Sequence, residues 1–366
     1  MGTLQRMDSM EANHKANELC NRYGMDVISC GSTIAFATEA FQSGLIDESH
    51  TGGIRLDWNQ PDVLLQLIRM TAYREGFGDE LAEGVRGMSE KFGGKEFAIH
   101  VKGLECPMHD PRALWGMALT YATSIRGACH CADSNLYTDL GLVSHGDLGV
   151  GRSWPFRARG KAAQTVASQR KGIISNSAVI CIYAWVSAGG ALPEMLMMLN
   201  SVTGFGYTRD ELCQVADRIW YLKRAIGNLC GATREDDQVP RRILEPHLEG
   251  ATSSLHLALY PQFMSIAPMG KLRFERLKTA VSGMMSRAVY PNLNRTLAFL
   301  NKLPPFSLRG RRLVDRDPLE VRRRTVAFEE MIEEFYRLRG IDERGRPSRE
   351  RLESLGLKEV ADILHG

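Results

Sequence analysis

The chain has 366 residues, a charged fraction of 24% and a formal net charge of only +3 at pH 7, a balance that argues against nucleic acid or an acidic membrane surface as a partner. Eight cysteines in a chain of this length are too few for a fold that is held together by disulfides. The polar N-terminus MGTLQRMDSMEANHK lacks the apolar run of a secretion signal, so we expect a cytoplasmic protein.

Helical periodicity runs along most of the chain. Apolar residues recur at three- and four-residue steps, and helices are predicted for residues 26–44, 61–75, 79–92, 110–127, 208–231, 319–339 and 348–364. Thr208 and Glu211 form a capping box, and Asp110-Pro111 is a typical helix opening. A strand candidate, residues 96–103, lies near an interruption by glycine and proline at residues 93–111. We therefore expect a mainly α fold.

The longest uncharged stretch lies between Lys171 and Glu194 and surrounds Cys181. It has the length of a membrane span, but it contains several serines, Asn176, a Gly-Gly pair and Pro193, which polarise or break a spanning helix. We expect a buried helix of a protein core instead. On spacing alone, Cys181 is a small core residue.

Two polar segments carry residue types that are suited to chemistry. In GACHCAD, residues 127–133, His130 follows a predicted helix, where an imidazole transfers protons, binds a metal or is only structural. No second Cys or His motif completes a zinc site beside it. In RYGMDVISCGSTIAF, residues 22–36, Asp26 and the preceding Asn21 surround Gly24, and such a turn either holds a heterocycle or phosphate or merely caps a helix.

A third segment, LRGRRLVDRDPLEVRRR at residues 308–324, is rich in arginine but interleaved with aspartate and glutamate. This pattern is typical of a solvated, ion-paired surface. A docking patch for an acidic partner protein is the alternative interpretation.

Several blocks of the sequence, in order, resemble the tungsten-dependent aldehyde ferredoxin oxidoreductase family. The blocks are KANELCNRYGMDVISCGSTIAFATEAFQSGLI (15–46), YREGFGDELAEGV (73–85), KGLECPMHDPRALWGMALTYATSIRGACH (102–130), NSAVIC (176–181), RIWYLKRAIGN (218–228) and FYRLRGIDERGRPSRERLESLGL (335–357). Blocks in register along nearly the whole chain are more specific than any single motif. The resemblance implies two helical domains, which we place at residues 1–104 and 105–366, as in the C-terminal part of these enzymes.

The resemblance also implies cofactors and site residues. Family members bind tungsten through two pterins beside one [4Fe-4S] cluster, oxidise aldehydes to carboxylic acids and pass the electrons to ferredoxin. Each pterin is held by a stretch of the form Asp-x-x-Gly-Leu followed by Asp or Cys. The matching positions here are Asn21, Gly24 and Asp26 in the first stretch and Asn176 and Cys181 in the second. Cys181 thereby becomes the expected cluster ligand, and His130 the expected proton-transferring histidine.

The sequence departs from the family pattern in both stretches. Asn replaces the leading Asp at Asn21 and Asn176, and Val-Ile replaces Gly-Leu in the second stretch. An amide still accepts a hydrogen bond from a pterin amine, but without charge assistance.

Family members also carry three closely spaced cluster cysteines and an N-terminal β domain ahead of the blocks seen here. The sequence contains no Cys-x-x-Cys, and we expect the missing ligands to come from an N-terminal half or a partner subunit.

Three interpretations of function therefore stay open. The chain is the C-terminal part of a catalytic tungsten oxidoreductase that uses ferredoxin and a small aldehyde, and that forms a homo-oligomer in some settings. Alternatively it is a truncated or repurposed helical subunit without a cofactor. The third interpretation is a relative that acts on another substrate, such as an aromatic acyl thioester.

Overall fold

The computed structural model describes residues 1–151, 156–187, 189–246 and 325–366, together with the backbone of residues 307–308 and 311–312. The helices in these residues are α1 Met10–Tyr23, α2 Val27–Gln42, α3 Pro61–Tyr73, α4 Phe77–Ala82, α5 Gly84–Phe92, α6 Trp115–Thr123, α7 Asn135–Asp139, α8 Lys161–Ser177, α9 Ile182–Ser187, α10 Leu192–Thr203, α11 Arg209–Leu229, α12 Phe328–Arg339, α13 Arg349–Ser354 and α14 Lys358–His365. Two short antiparallel pairs accompany them, β1 His100–Val101 with β2 Leu104–Glu105 and β3 Ser307–Leu308 with β4 Arg311–Arg312. The mainly α prediction is confirmed.

The first hydrophobic core is built by α1 to α5. Helix α3 packs against α1 and α4, while α2 packs against α5. Small buried residues, including Ala16 and Cys20 on α1 and Ala37 on α2, let the helices approach closely. Ser9 begins α1 by accepting a hydrogen bond from the amide of Ala12, as expected of a serine at this position.

The second hydrophobic core surrounds α6 and α8. Every residue of α6 is buried, and α8 packs against α6, α11 and α12. The predicted capping box of α11 is confirmed, since Thr208 Oγ1 accepts from the amide of Glu211 and the Glu211 carboxylate accepts from the amide of Thr208. The first core ends at Ala98 and the second already includes Val101, so the cores change a few residues before the proposed domain boundary at residue 104, which stays a prediction.

Buried ion pairs connect distant parts of the second core. Asp217 on α11 accepts hydrogen bonds of 2.9 Å from both Arg170 on α8 and Arg339 on α12. Asp237 pairs with Arg224 and with Lys102, which follows β1. Buried charges of this kind tolerate few alternative arrangements, because a charge without its partner is costly in a low-dielectric interior.

Three sequence predictions need correction. Helix α6 begins at Trp115 rather than at Asp110-Pro111, because the Asp110 carboxylate turns the chain by accepting from the amide and side chain of Arg112. The predicted helix at 79–92 is divided at Gly84 and the one at 348–364 at Gly356, both of which have positive φ.

Two further expectations concern the membrane and the arginine-rich segment. No helix in the described part of the chain combines the length and the apolarity that a bilayer span requires. The side chains of residues 308–324, and the start of the predicted helix 319–339, lie outside the described residues.

Candidate active site

The first candidate turn joins α1 to α2. Gly24 ends α1 in the left-handed conformation, with φ 70°. Its amide donates to Asn21 O and the next amide, of Met25, donates to Cys20 O at 2.9 Å, which is the pattern of a Schellman motif. Asp26 then begins α2, and its Oδ2 accepts from the amide of Ser29 at 2.7 Å. A β-carbon placed on Gly24 would meet no atom outside its chain neighbours within 4 Å, so this position of the turn is open.

The second candidate turn, between α8 and α9, repeats the first turn bond for bond. The amide of Val179 donates to Asn176 O at 3.2 Å, and the amide of Ile180 donates to Ser175 O at 2.9 Å. Cys181 takes the place of Asp26, because its carbonyl accepts the first hydrogen bond of α9 from Trp185 at 3.0 Å. Two segments far apart in the sequence thus present the same backbone turn.

Cys181 is a free and exposed thiol, so the prediction of one long buried helix around it is wrong. Helix α8 ends at Ser177, and the chain reverses at Val179, whose φ is 56°. A second break follows at Gly189 and Gly190, both with positive φ. These reversals divide the uncharged stretch between α8, α9 and α10 and bring the thiol to the surface.

His130 lies in the loop after α6 and close to the first turn. Burial lowers the pKa of the half-buried imidazole, the carboxylate of Asp26 raises it, and the guanidinium of Arg126 lowers it. A second imidazole, of His109, lies against it with 4.9 Å between the ring centroids. Burial and the neighbouring His130 lower the pKa of His109 as well. Both rings are therefore ready to accept a proton near neutral pH.

The same loop also reaches the second turn. Tyr137 on α7 packs edge-on against Tyr183 on α9, with 6.4 Å between the ring centroids. Burial, together with the neighbouring Tyr183, Cys131 and Cys181, raises the pKa of Tyr137 to about 12. Cys131 directly follows His130, so the loop with His130 lies near the first turn, and α7, which follows this loop, lies near Cys181 and α9.

The asparagine side chains of the two turns are exposed. Asn21 donates from its amide nitrogen to Asn17 O at 2.8 Å, which directs its oxygen away from that carbonyl. Asn176 makes no side-chain hydrogen bond to the described residues, so its amide can bind a ligand on the open side of the turn. The structure therefore places Asn21, Gly24, Asp26 and His130 near one another, and Asn176 and Cys181 together at the second turn.

A buried polar network behind the loop was not predicted from the sequence. Asp133 is fully buried, accepts from Thr120 Oγ1 at 2.9 Å and from the Asn135 amide at 2.8 Å, and burial raises its pKa to about 7. Asp139 forms a buried ion pair with Lys161 and accepts from the Gly116 amide at 2.8 Å. The acidic residues that follow GACH were the one sign of this network in the sequence. Their partners on α6 and α8 lie far away in the chain, so the sequence did not indicate which residues they pair with.

The donor set fits one part of a metal centre rather than a complete one. Within the described residues, no group of three or more histidine, cysteine, aspartate or glutamate side chains is arranged to hold a metal ion. Cys181 offers one exposed sulfur just before α9. Both turns offer an exposed asparagine amide, and the first turn also offers the bare backbone of Gly24, where the second turn has the exposed side chain of Val179. The residues present therefore fit one wall of a cofactor site.

A sequence model described as aldehyde ferredoxin oxidoreductase, domains 2 and 3, matches residues 1–357. The chain belongs to the aldehyde ferredoxin oxidoreductase family. A tungsten-containing aldehyde ferredoxin oxidoreductase of Pyrococcus horikoshii is 31% identical over 74% of this chain and 44% of its own length. The enzyme of the same name from Pyrococcus furiosus is 32% identical over 64% of this chain and 38% of its own length. The chain thus spans less than half the length of these relatives.

One more distant sequence relative and one solved structure are also similar to this chain. The WOR-like subunit of an aliphatic sulfonate oxidoreductase from Pyrococcus furiosus is 26% identical over 62% of this chain and 34% of its own length. Among solved structures, the active site complex BamBC of benzoyl coenzyme A reductase, in complex with 1,5-dienoyl-CoA, superposes with a TM-score of 0.54. That match covers 94% of this chain and 46% of the other at 16% identity, and it shows a shared fold.

Proposed function

We propose that the chain forms the C-terminal part of a tungsten–pterin, iron–sulfur oxidoreductase that oxidises aldehydes to carboxylic acids and transfers the electrons to ferredoxin. The observation that carries the proposal is the pair of matching turns, Asn21–Asp26 and Asn176–Cys181, of which the first lies near His130 and the second near Tyr137 on the following helix, α7. Two copies of one backbone turn suit a site that binds two related flat ligands, because each copy can hold one of them in the same way.

In this proposal each turn holds one pterin from its open side. The amides of Asn21 and Asn176 exchange hydrogen bonds with the ring, and Gly24 leaves room for it to approach the backbone. Cys181 supplies one sulfur to the iron–sulfur cluster. When bound, the tungsten–pterin centre supplies the two-electron redox step and the cluster passes electrons on singly.

His130 is the proposed proton acceptor of the reaction. Conversion of an aldehyde and a water molecule to a carboxylic acid releases two electrons and two protons. Because burial lowers the pKa of His130, its imidazole is neutral near pH 7 and able to take one of these protons. The carboxylate of Asp26 stabilises the imidazolium that forms.

The remaining cofactor ligands come from outside the residues described here, in this polypeptide or in a partner subunit. This is supported by the one cysteine that the second turn contains, Cys181, and by the share of the relatives' length that the chain spans. The division into helical domains at residues 1–104 and 105–366 belongs to the same proposal, as does a cytoplasmic location beside ferredoxin.

The test uses the tagged chain purified without oxygen from its native host grown with tungstate. We expect about four Fe and one W per complex, and aldehyde-dependent reduction of ferredoxin. Cys181→Ala should remove the visible absorption of the cluster while the helix content is unchanged. Cys230→Ala, which removes another exposed free thiol, is the matched control and should keep the absorption.

Two outcomes would contradict the proposal. A folded complex that contains neither metal would favour a non-catalytic helical subunit. A metal-loaded complex that is inactive with aldehydes but active with an aromatic acyl thioester would identify a relative with another substrate. Unchanged absorption in the Cys181→Ala complex would remove this cysteine from the cluster.

A further inference from the structure

The loop that contains His130 is held at its start by a glycine. Gly127 has a φ of 107°, and a β-carbon on it would overlap Val101 O in strand β1. A residue with a side chain does not fit between these two stretches of backbone. The start of the loop therefore packs directly on the short pair of strands β1 and β2.

The end of the same loop is held by a second glycine, on α8. A β-carbon on Gly172 would lie 2.7 Å from Ala132 O and 2.8 Å from the α-carbon of Asp133, both of which are backbone atoms. These distances are well below an ordinary contact between such atoms, which is about 3.5–4.0 Å. Only glycine at this position lets the helix and the loop touch backbone to backbone.

Neighbouring residues of α8 bind the chain where the loop joins α7. Ser168 Oγ, one turn before Gly172, accepts a hydrogen bond from the amide of Ser134 at 2.8 Å, and the two serine hydroxyls are 2.9 Å apart. Thr165 Oγ1 accepts from Asn135 Nδ2 at 2.7 Å. Positions 165, 168 and 172 are three and four residues apart, so they lie on one face of the helix. One face of α8 thus fixes the end of the loop.

The same helix leads directly into the second candidate turn. Asn176 lies four residues after Gly172 and therefore about 6 Å further along the helix axis. Ser175 Oγ donates to Gly172 O at 3.1 Å within this last part of α8. A short piece of helix thus separates the contact with the loop from the turn that presents Cys181.

We propose that Gly172 is a positioning residue for the proton acceptor, because its backbone contact with Ala132 and Asp133 sets the place of the His130 imidazole relative to the second turn and to His109. This inference rests on the proposed function, in which that turn holds part of the cofactor. A side chain at position 172 displaces the end of the loop and carries the imidazole with it. A misplacement of about 1 Å is enough to reduce the rate of an enzyme about 100-fold.

The first test follows the imidazoles in the purified full chain without metal, after labelling with ¹³C-histidine. The chain has nine histidines, and His130→Gln and His109→Gln identify two of the nuclear magnetic resonance signals by their loss. Gly172→Ala should shift the signals of His130 and His109. The signals of His14 and His50, from the part of the chain that forms the first core, should not move.

Gly227→Ala is the matched control. It also adds one methyl group to a glycine inside a long helix, α11, but the atoms that this group meets are side-chain carbons of Ile125 and Ala232 at 3.7 Å and 3.9 Å. These are ordinary contacts, so no backbone has to move. All imidazole signals of this variant should match those of the unsubstituted chain.

Ser168→Ala tests the same contact without adding an atom. It removes the hydrogen bonds to Ser134 and should shift the signal of His130 in the same direction as Gly172→Ala, but by less. This variant decides the question if Gly172→Ala does not fold.

The second test uses the metal-loaded complex. Gly172→Ala should keep the iron and tungsten contents and lower kcat for aldehyde oxidation about 100-fold with little change in KM, because the loss is in the transition state. Gly227→Ala should keep both constants.

Unshifted signals of His130 and His109 in a folded Gly172→Ala chain would overturn the proposal, as would unshifted signals in Ser168→Ala where Gly172→Ala does not fold. Equal shifts of all histidine signals would also overturn it, since they would show a general effect on the fold. An unsubstituted complex that is inactive with aldehydes would count against the proposed function instead, because the imidazole signals are measured without turnover.

Discussion

Val179 occupies in the α8–α9 turn the position that Gly24 occupies in the α1–α2 turn. The φ angles are 56° and 70°, and the flanking hydrogen bonds correspond one to one. Glycine adopts this conformation freely, whereas a β-branched residue in it is strained. Val179 is also 92% exposed, so burial of its side chain contributes little free energy to offset this strain. The second turn therefore keeps its shape despite its sequence, because the helices on both sides fix it.

We expect Val179→Gly to stabilise the protein. Relief of the left-handed strain should outweigh the greater freedom of glycine in the unfolded chain and raise the free energy of unfolding by about 1 kcal/mol. Chemical denaturation measures the change. The matched variant is Gly24→Val, whose β-carbon has open space and which should lower the free energy of unfolding by about 1–2 kcal/mol through backbone strain. Equal stability of Val179→Gly and the unsubstituted protein would mean that no strain is stored at Val179.

The buried pair of Lys161 and Asp139 should be far more important for stability than the surface pairs. Both side chains are fully buried, so Lys161→Met leaves a buried carboxylate without its cation. We expect a loss of about 3–5 kcal/mol in the free energy of unfolding. Lys15→Met, which breaks the exposed pair with Glu18, is the control and should cause no measurable loss. Similar denaturation midpoints for the two variants would contradict this ranking.

How much of the structure was predictable depends on the range of the interactions involved. The capping box of Thr208 and Glu211 involves residues three apart, and the structure has it as predicted. The reversal at Val179 was missed because valine gives no local signal for a left-handed turn. The uncharged composition around Cys181 is equally compatible with one buried helix and with several short ones that pack on different neighbours.

Prediction of the candidate site from the sequence was limited in the same way. Family resemblance located both turns and His130 in the sequence. The neighbours that set their properties lie elsewhere in the chain: Asp26 is more than a hundred residues before His130, and Tyr137 meets Tyr183 across α7 and α9. Periodicity and spacing describe residues within one element, so they carry no information on such contacts.

His145 should make stability fall as the pH is lowered. The side chain is 3% exposed, its Nε2 bonds Thr138 Oγ1 at 2.9 Å, and burial together with the nearby Lys171 lowers its pKa to about 3. The unfolded chain takes up a proton near the ordinary histidine pKa, so stability is complete above that pKa and is lost as the pH falls toward 3. At pH 5 the loss from this group amounts to about 2 kcal/mol.

The measurement compares His145→Gln with the unsubstituted protein. Denaturation at pH 7 and pH 5 should show that the variant loses about 2 kcal/mol less over this interval, because glutamine does not titrate. The other histidines contribute equally to both proteins and cancel. The same pH dependence in both proteins would show that His145 is protonated in the folded state at pH 5.

His130→Gln should reduce aldehyde oxidation by about 10²–10⁴-fold with an unchanged tungsten content, since glutamine cannot accept the proton. In the unsubstituted complex, activity should decrease as the pH falls through the lowered pKa of this imidazole, because the protonated ring has no free acceptor. The variant should lack that acidic limb in its pH profile.

His14→Gln, on the exposed side of α1, is the matched control and should keep both rate and profile. An unaltered rate in His130→Gln would exclude His130 as the proton acceptor, whereas tungsten loss in this variant would assign it a role in holding the cofactor instead.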